Sequence, residues 1–164
     1  MLNQGPIKGL TPATPQSATG KATGLEMKNR VYQPPVLIIA HLSKRIRNLK
    51  SELEQNGCLV DLVEPNADEL QAVGQCYFEA IILEIEKHPK RAFKAYKQLK
   101  AMPELADLPL ILLGTCDDPK RFLNRLGNGL IYYVSKEKMS ARPVWQLVKQ
   151  IHYLTSRYLP LSVN

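Results

Sequence analysis

The sequence has no apolar run long enough to cross a bilayer. Its longest, Val36 to Ala40 and Leu108 to Gly114, fall far below the ~20 residues a spanning helix needs. The N-terminus also lacks the uninterrupted apolar stretch of a secretory signal, so a cytoplasmic location and no membrane partner are expected. Cysteine is scarce. Cys58, Cys76 and Cys116 are an odd count at wide spacing with no Cys-x-x-Cys pair, and they read as reduced, mostly buried thiols. No Gly-x-Ser-x-Gly elbow is present for a serine nucleophile. The turn after the first apolar run, Ala40, His41, Leu42 and Ser43, holds no glycine and so no dinucleotide fingerprint. Thr19, Gly20, Lys21 and Ala22 lack the earlier glycine, the hydroxyl after the lysine and the preceding strand of a phosphate loop. His41, His88 and His152 fall on different elements, and only His41 could approach Glu84. Two ligands of different type do not build a zinc site, so no metal or cofactor is expected.

The chain of 164 residues, 45% hydrophobic, can bury a proper core and reads as one domain with a tail. Its net charge of +7 suits an acidic protein surface or a nucleic acid as partner. Residues 1–34 carry +3 of this and the remainder +4, which is moderately basic. Residues 1–34 are rich in Gly, Pro, Ser, Thr and Gln and poor in large apolar side chains. They cannot offset the entropy of ordering and are expected to be a disordered tail.

Past Pro34 and Pro35 the pattern alternates. Val36 to Ala40 read as a buried strand. A helix follows from about Ser43 to Gln55, with Leu42, Ile46, Leu49 and Leu53 at three- and four-residue steps and Asn56, Gly57 as its stop. Leu59 to Val63 form a second strand, and Asn66 caps a short helix from Ala67 to Gly74 with Asp68 and Glu69 in its first turn. The central strand spans Glu79 to Ile85. Its unalternated run Ala80, Ile81, Ile82, Leu83 implies cover on both faces, and it ends on the carboxylate Glu84.

A third helix from about Lys90 to Met102 sorts by angle. Ala92, Phe93, Ala95, Tyr96 and Leu99 face one way, and Lys87, Lys90, Arg91, Lys94 and Lys97 the other. Leu108 to Leu113 make a fourth strand, and a short helix capped by Asp118 with Pro119 first runs to about Leu126. Leu130 to Val134 make a fifth strand and Pro143 to Tyr158 the last helix, with Trp145, Val148, Ile151 and Leu154 as its core stripe. Five strands alternating with five helices predict an α/β fold, a doubly wound three-layer sandwich around a parallel sheet.

These residues resemble the receiver domains of two-component response regulators, over about residues 35–159, with a short tail at 160–164. The stretch from Asn66 to Leu70 resembles the family's second-helix start, and Gly129 through Lys136 its fifth strand and following lysine. The resemblance implies a flavodoxin-like, CheY-like five-stranded sheet in the order 2-1-3-4-5. It also implies an acidic pair after the first strand, an aspartate phosphoacceptor ending the third, a hydroxyl ending the fourth and a lysine ending the fifth. Here the acidic pair falls on Ala40 and His41, the acceptor on Glu84, and the hydroxyl on Gly114 with Thr115 one place late. Lys136 is kept, the proline expected after it is Glu137, and Pro89 stands one place later than the pattern.

Receivers need Mg²⁺, a hard cation that wants oxygen ligands, and Ala40 and His41 remove its main protein donors. A glutamate carboxylate would also be displaced by about a carbon–carbon bond length, a shift of the order that can cost ~100-fold. The resemblance with these departures implies a pseudo-receiver that is not an enzyme and takes no phosphoryl group. Glu84 is expected to pair with Lys136 across the crevice, mimicking an activated receiver.

The leading expectation is a signalling module that docks a protein partner. The basic stripe Lys87, Lys90, Arg91, Lys94 and Lys97 is one candidate surface. The aromatic side with Tyr132, Tyr133, Trp145, Tyr153 and Tyr158 is another, since that side is the family's usual partner or dimer face, and a homodimer is possible. The alternative is a basic nucleic-acid-binding or transcription-regulating protein that uses the lysine stripe, although no helix-turn-helix follows Tyr158. A phosphorylatable receiver with an atypical site is the third reading.

Overall fold

In the computed structural model the chain divides into two units, Met1–Val31 and Tyr32–Asn164. The residues described are 33–85, 89–115, 119–127, 129–135 and 141–158, with the side chains of 119, 121, 122, 141, 157 and 158 excepted. The tail at 1–34 therefore lies almost wholly outside the described residues, as do the tail at 160–164, Lys87, His88, Cys116, Asp118, Lys136 and Glu137.

Five strands, β1 (Pro35–Ile39), β2 (Leu59–Val63), β3 (Ala80–Glu84), β4 (Leu110–Gly114) and β5 (Ile131–Ser135), form one parallel sheet in the order β2-β1-β3-β4-β5. Between and after them run α1 (Lys44–Gln55), α2 (Ala67–Val73), α3 (Pro89–Lys100), α4 (Pro103–Ala106), α5 (Pro119–Leu126) and α6 (Ala141–Tyr158). This is the expected flavodoxin-like arrangement, with one helix more than expected: Pro103 opens the single turn of α4 before β4.

The three inner strands are apolar on both faces, so each face must be covered. Residues 36, 38, 80, 82, 111 and 113 point to one side, where α1 and α6 supply Ile46, Leu49, Leu53, Val144, Val148 and Ile151. Residues 37, 39, 81, 83, 110 and 112 point to the other, where Leu70, Ala92, Ala95, Tyr96, Leu99, Leu105 and Leu126 come from α2, α3, α4 and α5. The register lines up Ile38, Ile82 and Ile111 in one row across the sheet, all fully buried. Each such side chain is worth about 1.5–3 kcal/mol by burial alone.

Helix starts follow local chemistry. Ser43 Oγ accepts from Ile46 N–H at 3.2 Å and Asn66 Oδ1 from Glu69 N–H at 2.9 Å, which satisfies donors the helices cannot pair internally. Gly57 leaves α1 at φ +92°, where a side chain would be strained. The Tyr96 hydroxyl, buried in α3, donates to the Leu126 carbonyl at the end of α5.

Several expected placements are corrected. Leu42 precedes the cap of α1 and is 58% exposed, so it is not part of that helix's core stripe. On α6 the stripe is Val144, Val148 and Ile151, while Trp145 is half-buried and Leu154 is exposed. Cys58 is buried, and burial pushes its thiol up to about 11, but Cys76 is exposed. Tyr132 and Tyr133 do not share a face: as neighbours on a strand they project oppositely, Tyr132 against the α1 and α6 layer and Tyr133 against the α2 to α5 layer.

Truncating the centre of the sheet tests this layering. Ile82→Ala is expected to lower the unfolding free energy by about 2–5 kcal/mol. Leu154→Ala should change it by less than about 0.5 kcal/mol, with urea unfolding as the measurement.

Candidate functional site

Parallel strands end together, so the carboxyl ends of β1, β2, β3 and β4 open onto one crevice. β1 stops at Ile39 and leaves Ala40 buried and His41 half-buried at the rim, next to Glu84 at the end of β3. β2 stops at Val63 and places Glu64 on the other side of His41.

Two carboxylates bracket His41. Glu84 Oε2 accepts the His41 backbone N–H at 3.2 Å. Glu64 Oε2 lies 2.9 Å from His41 Nδ1, and its Oε1 accepts the Leu42 N–H at 3.0 Å. The Glu64 N–H in turn donates to Glu69 Oε2 at 2.6 Å, and Glu69 Oε1 accepts from Asn66 Nδ2 at 3.0 Å. The loop after β1 is thereby stapled to the loop after β2 and to the first turn of α2. The Leu42 N–H holds the Glu64 carboxyl below the usual carboxylate range, helped against partial burial by His41 and by the positive field of Arg91.

The structure brings Ala40, His41 and Glu84 together, with Gly114 and Thr115 on the next strand end. Ala40 carries no donor atom, and Gly114 has no hydroxyl. Its carbonyl accepts the Tyr133 hydroxyl at 2.7 Å, and the Thr115 side chain is exposed. Lys136 lies outside the described residues, so its pairing with Glu84 is not described. Among the described residues the Glu84 carboxylate accepts the His41 backbone N–H. For Mg²⁺ the donor set does not fit: one glutamate already holding an N–H, an imidazole held by Glu64, and an alanine.

Sequence reasoning misses Glu64. Its only local signal is its place directly after β2; the contact with His41 comes from the register of β1 against β2.

Away from the crevice, α3 exposes Lys90, Arg91, Lys94 and Lys97 opposite its buried Ala92, Ala95, Tyr96 and Leu99, as the angular sorting expects. Phe93 lies at the edge of the buried side, partly buried against the core, with Lys97 Nζ 4.9 Å and Arg125 Cζ 5.7 Å from its ring centroid. Arg91 and Lys94 face a hollow of about 270 Å³ shared with His41, Glu64 and Asn66. On the β5 side, Tyr133, Leu147, Lys149 and Tyr153 line an open groove of about 970 Å³. Trp145 is absent from that groove and carries Lys149 over its ring at 5.4 Å.

A second carboxylate–imidazole contact lies elsewhere. Glu79, 8% exposed just before β3, sits 3.0 Å from His152 Nδ1 of α6 and serves to hold that helix to the sheet. Among the described residues no cluster of three or more His, Cys, Asp or Glu is arranged for a metal ion. No helix among them is long and apolar enough to cross a membrane.

No protein-family model matches the chain, and no curated protein is similar to it in sequence. Solved structures do share its fold. The chemotaxis protein CheY4 of Vibrio cholerae superposes with a TM-score of 0.60 at 16% identity over 73% of this chain and 99% of that one. A two-component response regulator from Clostridium difficile gives 0.61 at 22% identity over 75% and 98%. The receiver domain of the sensor histidine kinase PA1611 from Pseudomonas aeruginosa, which has a magnesium ion coordinated in its active site cleft, gives 0.59 at 14% identity over 74% and 99%. The structural neighbours are thus response-regulator receiver domains, and the likeness is one of fold.

The lowered Glu64 carboxyl fixes the sign of a pH effect. A carboxyl that ionises more readily in the folded chain contributes stability above the unfolded value of ~4.3, and that contribution is lost as pH falls through the lower folded value. Glu64→Gln should therefore destabilise the protein at neutral pH, and the gap to the parent should close as the pH is taken below ~4. The side chain is 41% exposed, so the gap is modest. Urea unfolding of both proteins across that range is the check.

Proposed function

We propose that the chain is a receiver-fold signalling module that takes no phosphoryl group and acts by binding a protein partner in one fixed state. The observation that carries this reading is the crevice itself. Where a receiver would gather acidic metal ligands around an aspartate, this chain has buried Ala40, a His41 ring held by Glu64, and a Glu84 carboxylate that receives the His41 N–H.

Phosphorylation of a carboxylate is accelerated mainly by positioning and by neutralising charge on the transferring group. Neither is well served here. With no oxygen cage the metal's share of the stabilisation is missing, and Glu84 is oriented toward a backbone donor of its own chain. The bonds from His41 and Leu42 through Glu64 to Glu69 also tie the loop after β1 to the loop after β2, so the rim beside Glu84 is held by the chain's own groups. A non-enzymatic role in the cytoplasm, with residues 1–34 as a tether, belongs to the same reading.

The test is incubation with acetyl phosphate and Mg²⁺. No hydroxylamine-labile phosphate should form on the parent, and Glu84→Asp alone should not restore it, because the cation's other donors would still be absent. An acyl phosphate on Glu84 would overturn the reading in favour of an atypical phosphorylatable receiver. Chemical cross-linking of the full chain to its partners should give the same set with and without the phosphodonor.

A further inference from the structure

The exposed cations of α3 do not form one uniform stripe. Arg91 and Lys94 look toward the β2 to α2 loop, where Glu64 partly balances Arg91. Lys90 and Lys97 look the other way, toward α5. There Lys90 and Arg125 line a hollow of about 240 Å³ with Phe93 and Pro89, and Lys97 lies beside it over the Phe93 ring. Among the described residues no carboxylate lies within ion-pairing distance of Lys90, Lys97 or Arg125.

Lysine and arginine side chains at a surface normally lose much rotamer freedom when they hold a ligand. Here that cost is reduced in advance: Lys97 and Arg125, from two different helices, are both drawn over the Phe93 ring. A pre-placed ammonium and guanidinium flanking a shallow apolar floor suit carboxylates attached to an apolar backbone, and arginine adds the possibility of bidentate contact.

We propose that the surface formed by Lys90, Lys97 and Arg125 around Phe93 binds an acidic segment of a partner protein. The proposal rests on the protein-binding reading above and names the chemistry of the partner. Single-stranded nucleic acid fits less well. Such binders offer aromatic rings on which bases stack, but the Phe93 ring already carries two cations. Among the described residues the well-exposed aromatic side chains are Tyr77 and Tyr153, which lie on neither α3 nor α5.

The experiment is fluorescence anisotropy of the full chain with two probes, a labelled Glu- and Asp-rich peptide carrying leucines and a labelled oligothymidylate, from roughly 50 to 200 mM salt. The pair Lys97→Glu with Arg125→Glu should weaken peptide binding by about tenfold or more. The charge-matched pair Lys44→Glu with Arg47→Glu, on the exposed side of α1, should leave it within about twofold. Phe93→Leu keeps apolar bulk but removes the ring, and should weaken the peptide by roughly two- to fivefold. Equal losses from both charge-reversal pairs would overturn the proposal, because net charge would then explain binding. Tighter binding of the oligothymidylate, lost with the same α3 and α5 pair, would overturn it in favour of nucleic acid. No peptide binding at low salt would also overturn it. That result would leave the phosphate-free reading intact, since the acetyl phosphate experiment decides that reading alone. Circular dichroism matched to the parent excludes unfolding, and Lys97→Gln with Arg125→Gln provides a milder pair.

Discussion

Three adjacent strands with no polar side to show to water determine most of this architecture. β1, β3 and β4 bury Val36 to Ile39, Ala80 to Leu83 and Leu110 to Leu113 on both faces, so helices must be laid over the sheet on either side. Parallel strands can only be joined by crossovers of one hand, which sends α1 and α6 to one layer and α2 to α5 to the other. The same constraint collects every strand's carboxyl end at one edge. Polar groups are admitted there because the helices start farther out and leave the edge uncovered.

The groups that fill that edge explain its chemistry. Backbone donors at the start of a loop need acceptors, and this chain supplies them from its own carboxylates: Glu84 for His41, Glu64 for Leu42, and Glu69 for Glu64. Each carboxylate so engaged is one fewer free oxygen for a hard cation, and each bond fixes a loop. Loop order and metal binding draw on the same few atoms, and in this chain the described bonds serve the loops. The lowered Glu64 carboxyl is the electrostatic trace of that choice.

The sheet is legible in the sequence because unalternated apolar runs of strand length, separated by amphipathic helices, admit few folds. The strand order comes from a resemblance and not from periodicity. The strand-end positions are legible by counting from each strand end, and Ala40, His41 and Glu84 do meet. Glu64 is not, because its partnership with His41 depends on the register of Ile39 against Val63, a long-range pairing that local pattern does not encode. α4 escapes because a four-residue turn has no period to detect. The tyrosines are a different matter. Strand alternation sends Tyr132 and Tyr133 to opposite faces of β5, and of the two Tyr133 is the one that lines the groove with Tyr153.

A switch needs a ligand or modification that binds one state better than the other, since equal affinity for both moves nothing. On the proposed reading the crevice supplies no such event: it gains no phosphoryl charge, and the loops after β1 and β2 are already tied to each other. Recognition would then depend on a surface that is competent at all times, and affinity would be tuned by charge and by salt. The α3 and α5 cations have the required character, because they stand on the flank of the sheet and share no hydrogen bond with the Glu64 and Glu84 network. On the same reading, their separation from the crevice lets the scaffold bind a partner without any phosphoryl chemistry. It also implies that control over such a module acts on the partner's availability, and not on the shape of the module.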